Sequence, residues 1–307
     1  MTPSPAIFED ATPLLADVDA LRAKAAKDGF LFFRALVPAA PLLELRRDMV
    51  NVLDQYGWIK PGSDPMDGLL HQPALDAVPD SEMRTDIGVT AAMYDDIQRL
   101  QSFHATPHHP NLVGVMRQLL GEEILVHPRH IARMISSHRT ISPTPEHQDF
   151  IHVQGTAETW TCWLPLSDCP REMGGLTVLR GSNHQGVIEL EPREGAGGKG
   201  VQLCPSETDW VEGDYQLGDA LFFSSLTVHR ALRSQMRDRI RLSLDVRYQS
   251  ENADIDKSSL LPHCSLTWEE VYADWPTPEF QYYWRDKSLN LSVWQDQLRW
   301  QRQRICS

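Results

Sequence analysis

The sequence predicts a mainly β protein with flanking helices, a sandwich or barrel rather than a set of βαβ units. Two observations carry this. Between residues 124 and 250, short runs rich in β-branched and aromatic residues alternate with turn signals: ILVHPRHIARMIS, DFIHVQG, ETWTCWLPL, GLTVLRG, GVIEL, DALFFSS and RLSLDVRYQ. Many short strands at that rhythm belong to sandwiches and barrels. Outside this stretch the texture is helical, and no internal repeat or low-complexity linker divides the chain. The expectation is one domain over residues 1–307. It would have a mostly helical part (1–123), a β core (124–250) and a helical tail (251–307).

In order along the chain, Leu14, Leu15, Val18, Leu21 and Ala25 fall at helical spacing. Gly29 follows as a helix stop. Phe30-Leu31-Phe32-Phe33 reads as a buried strand. Pro38 and Pro41 precede LLELRRDMVNVLDQYGWI, a second amphipathic helix. Residues 60–80, rich in Pro, Gly and Asp, read as a long loop. Residues 91–120 look helical in two pieces, broken near Pro107 and Pro110. The tail from residue 264 carries Trp268, Trp275, Trp284, Trp294 and Trp300, five of the nine tryptophans. Their expected task is to pack the tail on the β core.

Composition narrows the function. At 307 residues, 41% apolar and 23% charged, the chain has an ordinary soluble make-up. Lys plus Arg is 29 and Asp plus Glu is 42, a formal net charge of −13. Such a surface repels phosphate backbones and anionic lipid, so nucleic-acid and membrane roles are disfavoured. The five cysteines are odd in number and contain no C-x-x-C pair. That argues against a disulfide framework and a zinc knuckle, and favours a reducing, cytoplasmic setting. MTPSPAIFED lacks the layout of a signal peptide. No run approaches the roughly 18 apolar residues of a membrane span.

The chemistry centres on PTPEHQDF. In a strand, residues two apart share a face, so His147 and Asp149 would point one way and Gln148 the other. An imidazole and a carboxylate on one face are two legs of a 2-His-1-carboxylate site, which leaves positions open on an octahedral iron(II). The H-x-D triplet alone is weak, since a polar surface strand produces it too. Eighty residues on, GDALFFSSLTVHRA places His229 near the end of an apolar strand. RDRIRLSLDVRYQ follows, with Arg241 and Ser243 on one strand face. A guanidinium fork clamps a carboxylate in two hydrogen bonds, and the hydroxyl adds a donor.

The order H-x-D, then H, then R-x-S resembles the phytanoyl-CoA dioxygenase family of Fe(II)- and 2-oxoglutarate-dependent oxygenases. WLPLSDCPREMGGLTVLRGSNH is similar to that family's segment between the ligands, through Trp163, Asp168, Gly174, Gly175, Gly181, Ser182 and His184. Gly218 and Asp219 match its turn before the distal His. The similarity covers residues 124–250 well, the N-terminal part loosely and the tail hardly at all. It implies a double-stranded β-helix, a cupin-like jelly roll with the metal in one mouth. It implies His147, Asp149 and His229 as iron ligands, Arg241 as anchor of the 2-oxoglutarate distal carboxylate, and Trp163 near that co-substrate. O2 would be the second co-substrate. Trp163 as a plain core aromatic stays open, as does Arg239 as rival anchor, although the R-x-S pairing favours Arg241. The default reaction is hydroxylation of an unactivated C–H bond in a small organic metabolite, with release of succinate and CO2. Related halogenases lack the carboxylate that Asp149 provides, so halogenation is disfavoured.

Other candidates are weaker. His104 and His108 have helical metal-pair spacing, but Pro107 and Pro110 interrupt the helix. His152 has the wrong strand parity for a ligand, and His184 reads as a turn residue. Arg133 could reach the co-substrate or substrate, or serve only structure. A zinc hydrolase or isomerase on the same barrel would leave Arg241 and Ser243 without purpose. A non-catalytic binding barrel would not need the whole set. A homodimer through the tail helices is compatible with the sequence.

Overall fold

The computed structural model describes residues 4–121, 123–196, 198–204 and 206–297. Two sheets face each other. The larger uses β2 (Phe30–Phe33), β3 (Ile124–Val126), β4 (Ile131–Ile135), β5 (Trp160–Pro165), β8 (Ala220–Ser224) and β10 (Arg241–Ser250). Its order is β2-β8-β5-β10, and the outer edge of β10 pairs with both β4 and β3. The smaller sheet runs β1-β7-β6-β9, from β1 (Ala6–Ile7), β6 (Leu176–Leu179), β7 (Trp210–Glu212) and β9 (His229–Ala231). This is the expected jelly roll, mainly antiparallel, with β1 against β7 the parallel exception.

Each face of the larger sheet has its own covering. Phe33, Cys162, Leu164, Phe222, Leu242, Leu244, Val246 and Tyr248 point outward into the largest apolar cluster. Helices α1 (Val18–Asp28), α2 (Ala39–Gln55), α3 (Ala91–Gln98) and α4 (Pro110–Leu120) supply its other half through Leu21, Leu45, Met49, Met93, Leu112 and Met116. Phe32, Trp163, Leu221 and Phe223 point inward and meet Val178 and Leu176 of the smaller sheet. Full burial of an aliphatic side chain contributes about 1.5–3 kcal/mol, so this helical cover is the main support of the sheet.

The N-terminal elements follow the sequence reading. Asp17 caps α1 by accepting from the Ala20 N–H, and Gly29 ends it at φ 79°. A Cβ at Gly29 would also sit 2.6 Å from Thr227 Oγ1, which holds the Gly29 carbonyl. The 91–120 stretch forms three helices rather than two, because Gln101–Ala105 separates from α3 at Arg99-Leu100. His104 and His108 build no metal group. His104 binds the Gln98 carbonyl through Nε2 and packs against Trp268 and Trp275, while His108 stacks on Phe280.

Two expectations fail here. DFIHVQG is not a strand, because its Phe150–Val153 stretch is a helical turn, α5, entered at Asp149 and ended by Gln154 at φ 55°. Phe150, Ile151 and Val153 are all buried, and so short a run carries no periodicity to separate strand from helix. The tail is not broadly helical either. Its one α-helix among the described residues is α6 (Trp268–Tyr272), opened by a Thr267–Glu270 capping box. Pro276 and Pro278 follow, and Phe280 and Tyr282 take positive φ. Trp268 and Trp284 are buried against Leu125 and Ile255, as the packing role requires, and Trp300 lies outside the described residues. Cys162, Cys169 and Cys264 are free thiols, whereas Cys204 is disulfide-bonded. No helix among the described residues is long and apolar enough to cross a membrane.

Candidate metal centre

The three predicted ligands converge. His147 pairs with His229 in an antiparallel bridge, each N–H donating to the other's carbonyl at 3.0 Å. That bridge extends the smaller sheet by one residue and sets the two imidazoles side by side, ring centroids 4.1 Å apart. The chain then turns into α5 at Asp149, which brings the carboxylate round to face both rings. Asp149 Oδ1 lies 3.8 Å from Nε2 of each histidine. One ligand atom from each residue falls within 4.8 Å of the others, the single such group among the described residues. Thus one strand face does not present the H-x-D pair. A bridge residue and a helix-entry residue do, while Gln148 points away and binds the Gly186 and Leu226 carbonyls.

The surroundings fix which atoms are presented. His147 Nδ1 lies 2.8 Å from the Pro145 carbonyl, and His229 Nδ1 3.0 Å from that of Thr227. A carbonyl only accepts, so each Nδ1 carries the proton and each Nε2 keeps its lone pair for a metal. Burial lowers both imidazole pKa values and keeps the rings neutral, with the Asp149 charge opposing this in part. Asp149 behaves oppositely. Burial alone would raise its pKa, but the Arg247 guanidinium, the two histidines and the Thr161 hydroxyl together hold it well below the usual carboxylate range. Thr161 Oγ1 donates to Oδ2 at 2.5 Å and Arg247 Nη2 at 3.4 Å, which leaves Oδ1 toward the histidines. Two neutral imidazoles and a carboxylate, nearly enclosed, suit a divalent iron with open positions.

The interior below the triad is polar by strand parity. On β10, Arg241, Ser243, Asp245 and Arg247 all face inward, opposite Arg133 of β4 and Thr161 and Trp163 of β5. A narrow cavity lined by Thr161, Leu176, Phe223, Asp245 and Arg241 leads from the triad inward. Arg241 is 2% exposed, donates to the Gly174 carbonyl, and lies with its guanidinium carbon 5.7 Å from the Trp163 ring centroid. Arg241 Nε, Ser243 Oγ and Trp163 Nε1 are all buried without a hydrogen-bond partner. Unpartnered buried donors carry a desolvation cost of about 1–3 kcal/mol each, and a carboxylate among them would remove it. These orphaned donors fit the co-substrate's distal end. Arg239 sits outside, bonded to the Asp67 carbonyl.

Three residues around the site were missed. Thr161 and Arg247 hold the second oxygen of Asp149, and Asp245 pairs with Arg133 at 2.5 Å inside the barrel. The alternation R-L-S-L-D-V-R carries the signal that Asp245 and Arg247 face inward, since one face of that strand is polar throughout. His152 lies on α5 with its ring 5.8 Å from that of His147, outside the ligand set. His184 binds the Lys27 carbonyl, a structural contact as read.

Comparison with known proteins agrees. A family model described as phytanoyl-CoA dioxygenase matches residues 25–239. A curated 1-deoxypentalenic acid 11-beta-hydroxylase of Streptomyces arenae is 24% identical over 275 residues, 85% of this chain and 92% of that protein. Among solved structures, the epimerase SnoN in complex with Fe3+, alpha ketoglutarate and nogalamycin RO superposes with a TM-score of 0.55 at 20% identity, covering 78% of this chain and 86% of that one. EctD from S. alaskensis in its apoform gives 0.51 at 15% identity, covering 83% and 84%.

Proposed function

The chain belongs to the phytanoyl-CoA dioxygenase family, an Fe(II)/2-oxoglutarate-dependent oxygenase by type, and from this we propose a single-domain enzyme (residues 1–307) that hydroxylates an unactivated C–H bond of a small organic metabolite. The observation that carries the reading is the convergence of His147 Nε2, Asp149 Oδ1 and His229 Nε2 above a buried, carboxylate-free Arg241. Iron(II) with 2-oxoglutarate and O2 supplies the oxidant for one C–H bond, with succinate and CO2 as co-products.

Each residue has a distinct task in this reading. His147, Asp149 and His229 hold the metal, their free atoms selected by the Pro145 and Thr227 carbonyls and by Thr161. Arg241 receives the distal carboxylate of 2-oxoglutarate, with Ser243 and Trp163 offering the remaining donors. Phe223, its ring 4.3 Å from that of His229, excludes water from the inner side. The ion pair of Arg133 with Asp245 forms a fixed polar wall between metal and anchor. A hydroxylase outcome is supported by the curated relatives' names and by the carboxylate at position 149. Zinc hydrolysis would leave the three orphaned donors unexplained.

The test is spectroscopic and chemical. Anaerobic addition of Fe(II) and then 2-oxoglutarate should give the visible charge-transfer band of that chelate, and admission of O2 should release succinate. Asp149→Ala should weaken iron binding by at least about 100-fold, more than the loss of an outer-shell partner, and abolish 2-oxoglutarate turnover. Unchanged succinate formation by that variant refutes the triad.

A further inference from the structure

The pocket in front of the triad has a charge opposite to that of the chain. It measures about 260 Å3, and its charged lining is Arg129, Arg133, Lys199 and Arg247 against Asp86 and Asp149, with Ile131 and Val153 as apolar surface. Arg84 stands close behind this wall. Three of these four guanidiniums have a carboxylate: Arg84 pairs with Asp86, Arg133 with Asp245 and Arg247 with Asp149. Arg129 has none among the described residues. Its Nη1 donates only to the Leu261 and Pro262 carbonyls, which pin the head group at the pocket wall. Iron(II) and the 2-oxoglutarate dianion together add no net charge. Arg129 is therefore the guanidinium of this wall whose charge no carboxylate of the described residues pairs.

Two further observations concern the same spot. Arg247, 7% exposed at its side chain, has a buried Nε with no hydrogen-bond partner. His263 reports the local field. Burial, then Arg129, Arg84, Arg133 and Arg247, push its pKa down to about 2, so the imidazole stays neutral and adds no charge of its own. Burial, and then the neighbouring Arg247, pull the Arg129 pKa down, so holding this unpaired charge carries a cost. A ligand anion offsets the cost of holding it.

We propose that the substrate is a small organic acid whose carboxylate is received by Arg129, with the Arg247 guanidinium beside it. This deepens the oxygenase reading and rests on it. At about 260 Å3 the pocket lies just below the roughly 300–1,000 Å3 span of ligand sites, which fits a compact acid with an apolar body against Ile131 and Val153. The carboxylate is thereby held on the Arg129 side, and the carbon to be oxidised lies toward the triad.

The experiment uses three matched probe sets: cyclohexanecarboxylic, adamantane-1-carboxylic and decanoic acid, each with its primary amide and the corresponding amine. Binding is measured by calorimetry on the metal-free protein and again with Fe(II) and 2-oxoglutarate bound under anaerobic conditions, so that Arg241 is engaged. In the sets that bind, the acid should bind about 10–100-fold tighter than its amide, the value of one charge-assisted contact. Arg129→Gln should remove that preference and Arg129→Lys should keep part of it. Amides or amines binding as well as the acids, no acid binding in any set, or an acid preference that survives Arg129→Gln in a folded variant, each overturns the proposal. The Fe(II)–2-oxoglutarate band in the same wild-type samples reports separately on the underlying reading. Without that band the oxygenase assignment fails, whatever the probes do.

Discussion

Strand β10 buries all ten of its residues, yet its two faces obey different rules. Outward, Leu242, Leu244, Val246 and Tyr248 meet the helices in apolar contact that has no direction. Inward, Arg241, Asp245, Arg247 and Gln249 each depend on a named partner: Gly174, Arg133, Asp149 and His127. On the outer face, stability is a sum over many weak contacts and shape is what matters. On the inner face, a missing partner exposes a charge to a low-dielectric interior. The difference teaches where function sits. It resides in the polar groups whose partners are incomplete, because those are the groups left to bind something else.

Neighbouring residues on opposite faces sharpen this comparison. Asp245→Asn removes one member of a buried pair and leaves Arg133 uncompensated, so the expected loss is about 4 kcal/mol in chemical denaturation. Leu244→Ala, one residue away, creates an apolar cavity under the helices and should cost about 3 kcal/mol. Asp245→Asn should also disturb 2-oxoglutarate binding, whereas Leu244→Ala should leave the activity of the folded fraction intact. If both variants lost stability and activity in the same proportion, the division between the two faces would be wrong.

The outer face was legible in the sequence and the inner site only partly so. Apolar periodicity placed α1 and α2, since burial of one face imposes the pattern directly, and an unbroken apolar run placed the strand at Phe30–Phe33, buried on both faces. The R-x-S pairing separated Arg241 from Arg239, and the structure puts them on opposite sides of the wall. The local shape around His147 was not legible. A bridge followed by a helical turn at Asp149 depends on Phe150 N–H finding the Ser225 carbonyl, a contact 75 residues away in the chain. No local propensity encodes that. The tail misled for a related reason. Its tryptophans signal burial without specifying a backbone, and ring packing around Trp268 accommodates turns as well as helix. Alternation puts Arg247 on the inner face, but its meeting with Thr161 at Asp149 follows from cross-strand register, which a single sequence does not state.

A smaller effect separates anchoring from support. Burial pulls the Arg241 pKa down, and its head group has no carboxylate, so it is a cost to the fold rather than a brace. Arg241→Met, of similar length and apolar, should leave the melting temperature unchanged or raised. It should weaken 2-oxoglutarate affinity by about 30-fold, the value of a charge-assisted contact near 2 kcal/mol. Arg239→Gln touches only the Asp67 carbonyl at the surface and should change stability by less than about 0.5 kcal/mol, with no effect on the KM for 2-oxoglutarate. The pair of variants reads the two faces of one wall. A drop in melting temperature for Arg241→Met would mean that the guanidinium braces the barrel. A raised KM for Arg239→Gln alone would move the anchor outside it.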